Sequence, residues 1–384
     1  MQQPHPFDKL NHLTNSLQAY IYRDAVPLQN WAIIDKLAAD EALPDEGDGR
    51  FQPLQPGQLW GAHSTWAWLK TSGVLPASFA GQPVVLRVRF EELAEAGSIV
   101  YSATEALATV PGSSIPPQAL NESHHDIWLS DSAEPGDITV MLACFTGIAL
   151  PGEMQVRLKT AEFARIDRDA EGLYWDARVL LDTIAQLPPD LPERTHYLRQ
   201  LDRAFNQLNW LNPPDDAFGA SVKQARQLLR DRVYRQSSQM PPDGIRPTVH
   251  AIGHAHIDLA WLWPLRVTRG KAVRTAATVV SLMHQFPDYQ FSQSQVPLYQ
   301  MVAENAPELF TQIKTHIAAG QWNATGATWV EMDANLPSGE SLVRQFLYGM
   351  RYFQRELGVR PEVLWLPDGF GFNGALPQIM RQAG

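Results

Sequence analysis

Cysteine is almost missing from this sequence: Cys144 stands alone among 384 residues. That excludes an internal disulfide framework and a cysteine-rich zinc knuckle, and it makes a reducing compartment the simplest setting. The place of Cys144 in the apolar run Val140-Met141-Leu142-Ala143-Cys144 reads as a buried core thiol. Clustered positive charge is missing too. With 31 basic against 41 acidic residues the net charge is -10. No Lys/Arg cluster offers the face that replaces phosphate counterions, which sets nucleic acid aside as a partner. No run reaches the roughly 18 apolar residues of a membrane span. The opening Met1-Gln2-Gln3-Pro4-His5 has neither the basic nor the apolar region of an export signal. The reading is a cytoplasmic protein without a membrane partner. No repeat of solenoid length is apparent.

What is present is an ordinary globular composition. The 45% of apolar residues suffices to bury a large core, and the length suggests two or three domains. Four textures follow one another. Residues 1–50 read as a leader with one or two helices, Asp24 to Leu37 showing near-helical spacing. Residues 51–165 carry short alternating runs, such as Thr65-Trp66-Ala67-Trp68-Leu69 and Val84-Val85-Leu86-Arg87-Val88-Arg89-Phe90, separated by turn residues. Period two with frequent turns predicts a β-sandwich. Residues 166–245 change to helical period over Leu173–Leu187, Pro192–Leu211 and Ala220–Arg235, a helical connector broken by Pro188-Pro189 and Pro213-Pro214. The proline-rich stretch 236–247 reads as a boundary.

From 246 to 384 the pattern alternates. Strands are predicted at Thr248–His254, Tyr289–Ser294, Trp322–Trp329 and Glu362–Leu366. Helices are predicted at Ala272–His284, Leu298–Ala319 with a dent at Pro307, Ser338–Leu357, and from Ala375. Four βα units argue for parallel strands with covering helices, in a (β/α) barrel or a doubly wound sheet. Four units are about half of a barrel, and the chain reads as the front part of a longer protein. The fold class expected is therefore multidomain, α+β then α/β.

Chemistry-bearing residues gather at the predicted strand ends. In His250, Ile252, His254, His256 and Asp258 the parity is shared, so a continued extended chain puts them on one face. Imidazole and carboxylate suit a borderline ion such as zinc; the alternative is a pair of hydrogen-bonded histidines. Asp368 directly follows the apolar run Leu364-Trp365-Leu366-Pro367, with Gly369 and Gly371 allowing a close backbone approach. A helix cap or turn residue is the plainer reading of Asp368. Glu331 and Asp333, in Trp329-Val330-Glu331-Met332-Asp333, could bind substrate hydroxyls or cap the next helix. Trp261 and Trp263 could stack on a sugar ring or lie in the core. Taken together, these groups suggest a metal-dependent hydrolase.

Three blocks carry a resemblance. His254-Ala255-His256-Ile257-Asp258-Leu259-Ala260-Trp261-Leu262-Trp263-Pro264 resembles the opening motif of the α-mannosidases of glycoside hydrolase family 38. Trp329-Val330-Glu331-Met332-Asp333-Ala334-Asn335-Leu336-Pro337-Ser338-Gly339-Glu340-Ser341 resembles their second block, and Trp365-Leu366-Pro367-Asp368-Gly369-Phe370-Gly371 their nucleophile block. The blocks cover residues 246–384; residues 50–240 resemble, less sharply, what precedes the catalytic domain in the cytoplasmic and bacterial branch. The resemblance implies a retaining exo-α-mannosidase with a (β/α)7 barrel and one zinc ion, cobalt suiting the same donors. It makes His256 and Asp258 metal ligands and Asp368 both ligand and nucleophile. His254 stands behind them. Trp261 and Phe370 line the sugar pocket, with Glu331 and Asp333 near substrate. An α-mannoside or mannose-containing oligosaccharide is the implied partner, with self-association of the longer protein left open. The family pattern also needs a later histidine ligand and a general acid/base. None of the 16 residues after Asp368 is His, Asp or Glu, so this chain alone is expected to be inactive. The rival readings are an amidohydrolase-type metal hydrolase using His254 and His256, and a non-catalytic carbohydrate-binding fragment using Trp60, Trp66 or Trp68.

Overall fold

The computed structural model describes residues 6–37, 44–55, 57–235 and 248–383. The expected boundary at 236–247 lies outside the described residues. Helix α1 (Pro6–Leu17) leads into strands β1 (Tyr22–Pro27), β2 (Trp31–Leu37), β3 (Gln52–Leu54), β4 (Trp66–Leu75), β5 (Val84–Ala94), β6 (Ile99–Ser102), β7 (Glu105–Thr109), β8 (Gln118–Leu120), β9 (Asp126–Ser130), β10 (Gly136–Phe145), β11 (Ile148–Leu150) and β12 (Met154–Ile166). They form an antiparallel sheet in the order β1-β12-β5-β9, a second in the order β3-β2-β4-β10-β7-β8, and a two-stranded ribbon β11-β6. The two larger sheets share one core, with Ile33, Leu69, Val140, Leu142 and Cys144 from one side meeting Leu86, Val88, Ile127, Val156 and Phe163 from the other. Alternation does this: in β7 and β9 every second side chain is buried.

Residues 24–37 depart from the expected helix. They hold β1 and β2, one strand in each of the two sheets, so the described leader is helical only before Ile21. The deception has a physical cause. Lys36 sits at φ 55° and the β2–β4 register slips between Ile34 and Leu37. The buried residues of β2 are therefore Trp31, Ile33, Ile34 and Leu37, a spacing that mimics a helix.

Helices α2 (Arg168–Gln186), α3 (Pro192–Phe205) and α4 (Asp216–Leu229) follow, and they pack with α1 around Leu10, Leu17, Leu173, Leu181, Phe205, Phe218 and Leu229. The Asp167 carboxylate caps α2 by accepting from the Asp169 and Ala170 N–H groups.

The last region holds β13 (Gly253–His254), α5 (Leu265–Gln285), β14 (Phe291–Gln293), α6 (Val296–Asn305), α7 (Pro307–Ala318), β15 (Trp322–Ala324), α8 (Gly339–Leu357) and α9 (Leu376–Ala383). The strands pair in parallel in the order β13-β14-β15. The helix expected over 298–319 is two helices, the second opened by Pro307, whose missing N–H is no loss in a first turn. The strand expected at Glu362–Leu366 is not among the described strands. Gly326, at φ 96°, turns the chain away after β15, leaving one rung from its N–H to Val363 O at 3.0 Å. Ser338 caps α8 and Gly358, at φ 70°, ends it.

One helix joins the antiparallel half to the parallel half. Glu105 of β7 accepts from Lys271 of α5 at 2.5 Å and from Arg274 of α5, whose guanidinium also lies over the Trp66 ring. Phe145 and Ile148 pack with Val267, beside Trp66 and Trp263. No helix among the described residues is long and apolar enough to cross a membrane.

Candidate metal centre

The backbone ladder of β13 stops at His254, yet the chain beyond it is still held. Side-chain amides replace the missing strand bonds: Gln293 Nε2 donates to Ala255 O at 3.3 Å, and Gln295 Nε2 donates to Ile257 O at 2.9 Å. Both glutamines are buried. Holding the carbonyls of residues 255 and 257 fixes the segment that carries His256 and Asp258.

The two histidines of this segment have different fates. His254 donates from Nδ1 to Ser292 O at 2.8 Å, since a carbonyl can only accept, and its Nε2 accepts from Trp365 Nε1 at 3.0 Å. Both nitrogens are used. His254 thus ties β14 to the loop that carries Asp368. The Nδ1 of His256 lies 2.5 Å from Glu331 Oε2, and its Nε2 faces Asp258 Oδ1 at 3.5 Å and Asp368 Oδ2 at 3.7 Å.

One donor atom from each of His256, Asp258 and Asp368 lies within 4.8 Å of the others. Two carboxylates this close repel each other unless a cation joins them. The donor set, one imidazole and two carboxylates, fits zinc or a similar borderline ion. Trp261 is 57% exposed and Phe370 90%. Trp261 meets Trp263 edge-on at 5.2 Å and Tyr101 of β6 at 6.4 Å. The sequence marks Tyr101 only as the end of the alternating run Ser98-Ile99-Val100-Tyr101, because nothing local shows a tyrosine of a distant ribbon to be a neighbour of Trp261.

Glu331 and Asp333 are placed apart. The Glu331 side chain is 5% exposed and lies behind His256, its Oε1 accepting from the Ser294 hydroxyl. Asp333 is exposed, and its Oδ1 accepts from the Asn335 and Leu336 N–H groups at 2.7 and 2.8 Å. The Leu336 and Asn335 N–H groups hold that carboxyl below the usual range. Glu331 thus holds a histidine and Asp333 closes a turn. In the antiparallel half, Trp60 is 2% exposed and so presents no face to a sugar, whereas Trp66, packed on Phe145, and Trp68 are half-buried.

Comparison with known proteins bears on residues 246–384, which match the family described as "Glycosyl hydrolases family 38 N-terminal domain". An "Alpha-mannosidase" of Saccharomyces cerevisiae is 38% identical over 59% of this chain and 21% of its own length. "Alpha-mannosidase G" of Dictyostelium discoideum is 33% identical over 70% of this chain and 24% of its own. "Alpha-mannosidase 2C1" of Homo sapiens is 31% identical over 92% of this chain and 33% of its own. The chain thus spans about a fifth to a third of the length of these curated relatives. From residue 246 onward, therefore, the chain is similar to the N-terminal domain of glycosyl hydrolase family 38.

Proposed function

We propose that this chain supplies the metal-binding and nucleophilic part of a retaining α-mannosidase, acting on terminal α-mannosyl groups. The observation that carries the reading is the convergence of His256, Asp258 and Asp368, in a chain whose relatives bear the name of that activity. In this reading residues 246–384 form the first part of a (β/α)7 barrel, and the site lies beyond the C-terminal ends of its strands, where such folds carry their chemistry.

His256 Nε2 and one oxygen each of Asp258 and Asp368 would hold a zinc ion, or cobalt. When bound, such an ion supplies positive charge against the sugar hydroxyls. Asp368 is the nucleophile. Its carboxylate attacks the anomeric carbon as the glycosidic C–O bond breaks, giving a glycosyl ester that water then hydrolyses. The second carboxyl group that this mechanism requires, to protonate the leaving oxygen, is not among residues 369–384. Trp261 and Phe370 offer exposed ring faces for the sugar. An amidohydrolase-type site would need His254 as a ligand, and both nitrogens of His254 are already engaged.

The test is Asp368→Ala in the zinc-loaded protein that hydrolyses an aryl α-mannoside. Turnover is expected to vanish while zinc-independent folding persists. Turnover at even a tenth of the parent rate would remove Asp368 from the nucleophile role.

A further inference from the structure

We propose that Glu331 is a positioning residue for the metal site: its carboxylate holds the proton on His256 Nδ1 and so leaves the Nε2 lone pair turned toward Asp258 and Asp368. This rests on the metal reading above and deepens it. A neutral imidazole carries one N–H. With that proton on Nε2, the nitrogen facing the two aspartates could not bind an ion. A carboxylate accepting at Nδ1 selects the other tautomer and fixes the orientation of the ring.

The geometry leaves Glu331 little else to do. Its Oε2 lies 2.5 Å from His256 Nδ1 and its Oε1 takes the Ser294 hydroxyl. At 5% side-chain exposure it offers no open oxygen to a sugar. Its own backbone is fixed as well. The Glu331 N–H donates to Gln295 Oε1 at 3.4 Å, and Val296 N–H donates to Trp329 O at 2.9 Å. The same Gln295 holds Ile257 O between His256 and Asp258. One side chain therefore sets the distance between Glu331 and the ligand segment. Gln295 does this from a buried position with φ 63° and ψ 99°, a backbone state that L residues rarely adopt. Strain of this kind persists where the surroundings over-determine it, and here the surroundings are Glu331 and the ligand segment. Gly326 completes the fit: a Cβ there would stand 2.9 Å from Ser294 Cβ and push the hydroxyl off Glu331.

The experiment titrates the chain and its Glu331→Gln, Glu331→Asp and Ser294→Ala variants with Zn²⁺ and with Co²⁺. Calorimetry gives affinity, the visible absorption of Co²⁺ gives ligand geometry, and ¹⁵N shifts of the metal-free His256 ring give its tautomer. The expected result is an Nδ1–H tautomer in the parent. Zn²⁺ affinity should fall by about 10–100-fold in Glu331→Gln, with an altered Co²⁺ band. Glu331→Asp should recover part of both, and Ser294→Ala should show a several-fold loss. A structural role alone would neither move the tautomer nor be rescued by the shorter acid. Unchanged affinity and tautomer in Glu331→Gln overturn the inference while the metal site stands. No Zn²⁺ binding by the parent overturns the metal reading and the inference with it. Should Glu331→Gln not fold, unchanged affinity in Ser294→Ala together with an Nε2–H tautomer of His256 in the metal-free parent still overturns it.

Discussion

His254 and His256 differ only in what surrounds them, and that difference decides which one can serve chemistry. Two residues apart and on one face, they are equivalent in the sequence. In the fold, a carbonyl and an indole N–H consume both nitrogens of His254, whereas a carboxylate consumes one nitrogen of His256. The resemblance named both and Asp258 and Asp368 besides. It could not separate Glu331 from Asp333, because Glu331 is placed by Ser294 and Gln295, some 36 residues upstream, whereas Asp333 caps its own turn. At this scale Gly349 makes a sharp prediction. It lies inside α8, where alanine has the better helix propensity. A Cβ at Gly349 would stand 2.4 Å from Ala327 O and 2.5 Å from Thr328 C, both backbone atoms. Gly349→Ala should therefore destabilise by about 1–3 kcal/mol through overpacking, read as a lower urea midpoint at unchanged slope. A neutral or raised midpoint would contradict the close approach of α8 to the 327–328 backbone.

At the scale of elements, α5 joins the halves, and its ion pairs set an acid limit. Burial pushes the Glu105 carboxyl up, but the Arg274 and Lys271 charges and their hydrogen bonds outweigh it, so the group lies below its ordinary value near 4.5. A depressed carboxyl contributes stability that is present above its unfolded value and lost as pH falls through its folded value. The junction should accordingly hold at neutral pH and weaken only below about pH 4.5. Glu105→Gln should remove that acid dependence and cost about 3 kcal/mol at pH 7, because two cations stay behind in a largely buried place. Chemical denaturation at pH 7 and pH 4 checks both statements; a variant as stable as the parent at pH 7 would contradict them. Helices α2 to α5 and α8 were legible because their apolar residues keep a helical period. Strand β2 was not, since a bulge at Lys36 breaks its alternation. The strand expected at 362–366 was misread because apolar content signals burial, whereas Val363 is 56% exposed and Gly326 diverts its neighbour.

For the molecule as a whole, the site draws on parts far apart in sequence: the chain after β13, Gln293 and Gln295 at the end of β14, Glu331, and the loop bearing Asp368. Legibility was uneven at this scale too, because the three motif blocks stand out along the chain while the hold of the two glutamines and the junction at α5 exist only in three dimensions. An ion held by His256, Asp258 and Asp368 would cross-link two of these segments and favour the folded state over the unfolded. At free zinc 100 times the dissociation constant, linkage gives about 2.7 kcal/mol of added stability, visible as a raised Tm. Calorimetric titration of the chain with Zn²⁺, beside His256→Ala and Asp368→Ala, tests the central claim most directly. The account predicts one ion bound per parent chain, a raised Tm on binding, and loss of both effects in each variant. Absence of saturable binding by the parent, or binding that survives both substitutions unchanged, would contradict it.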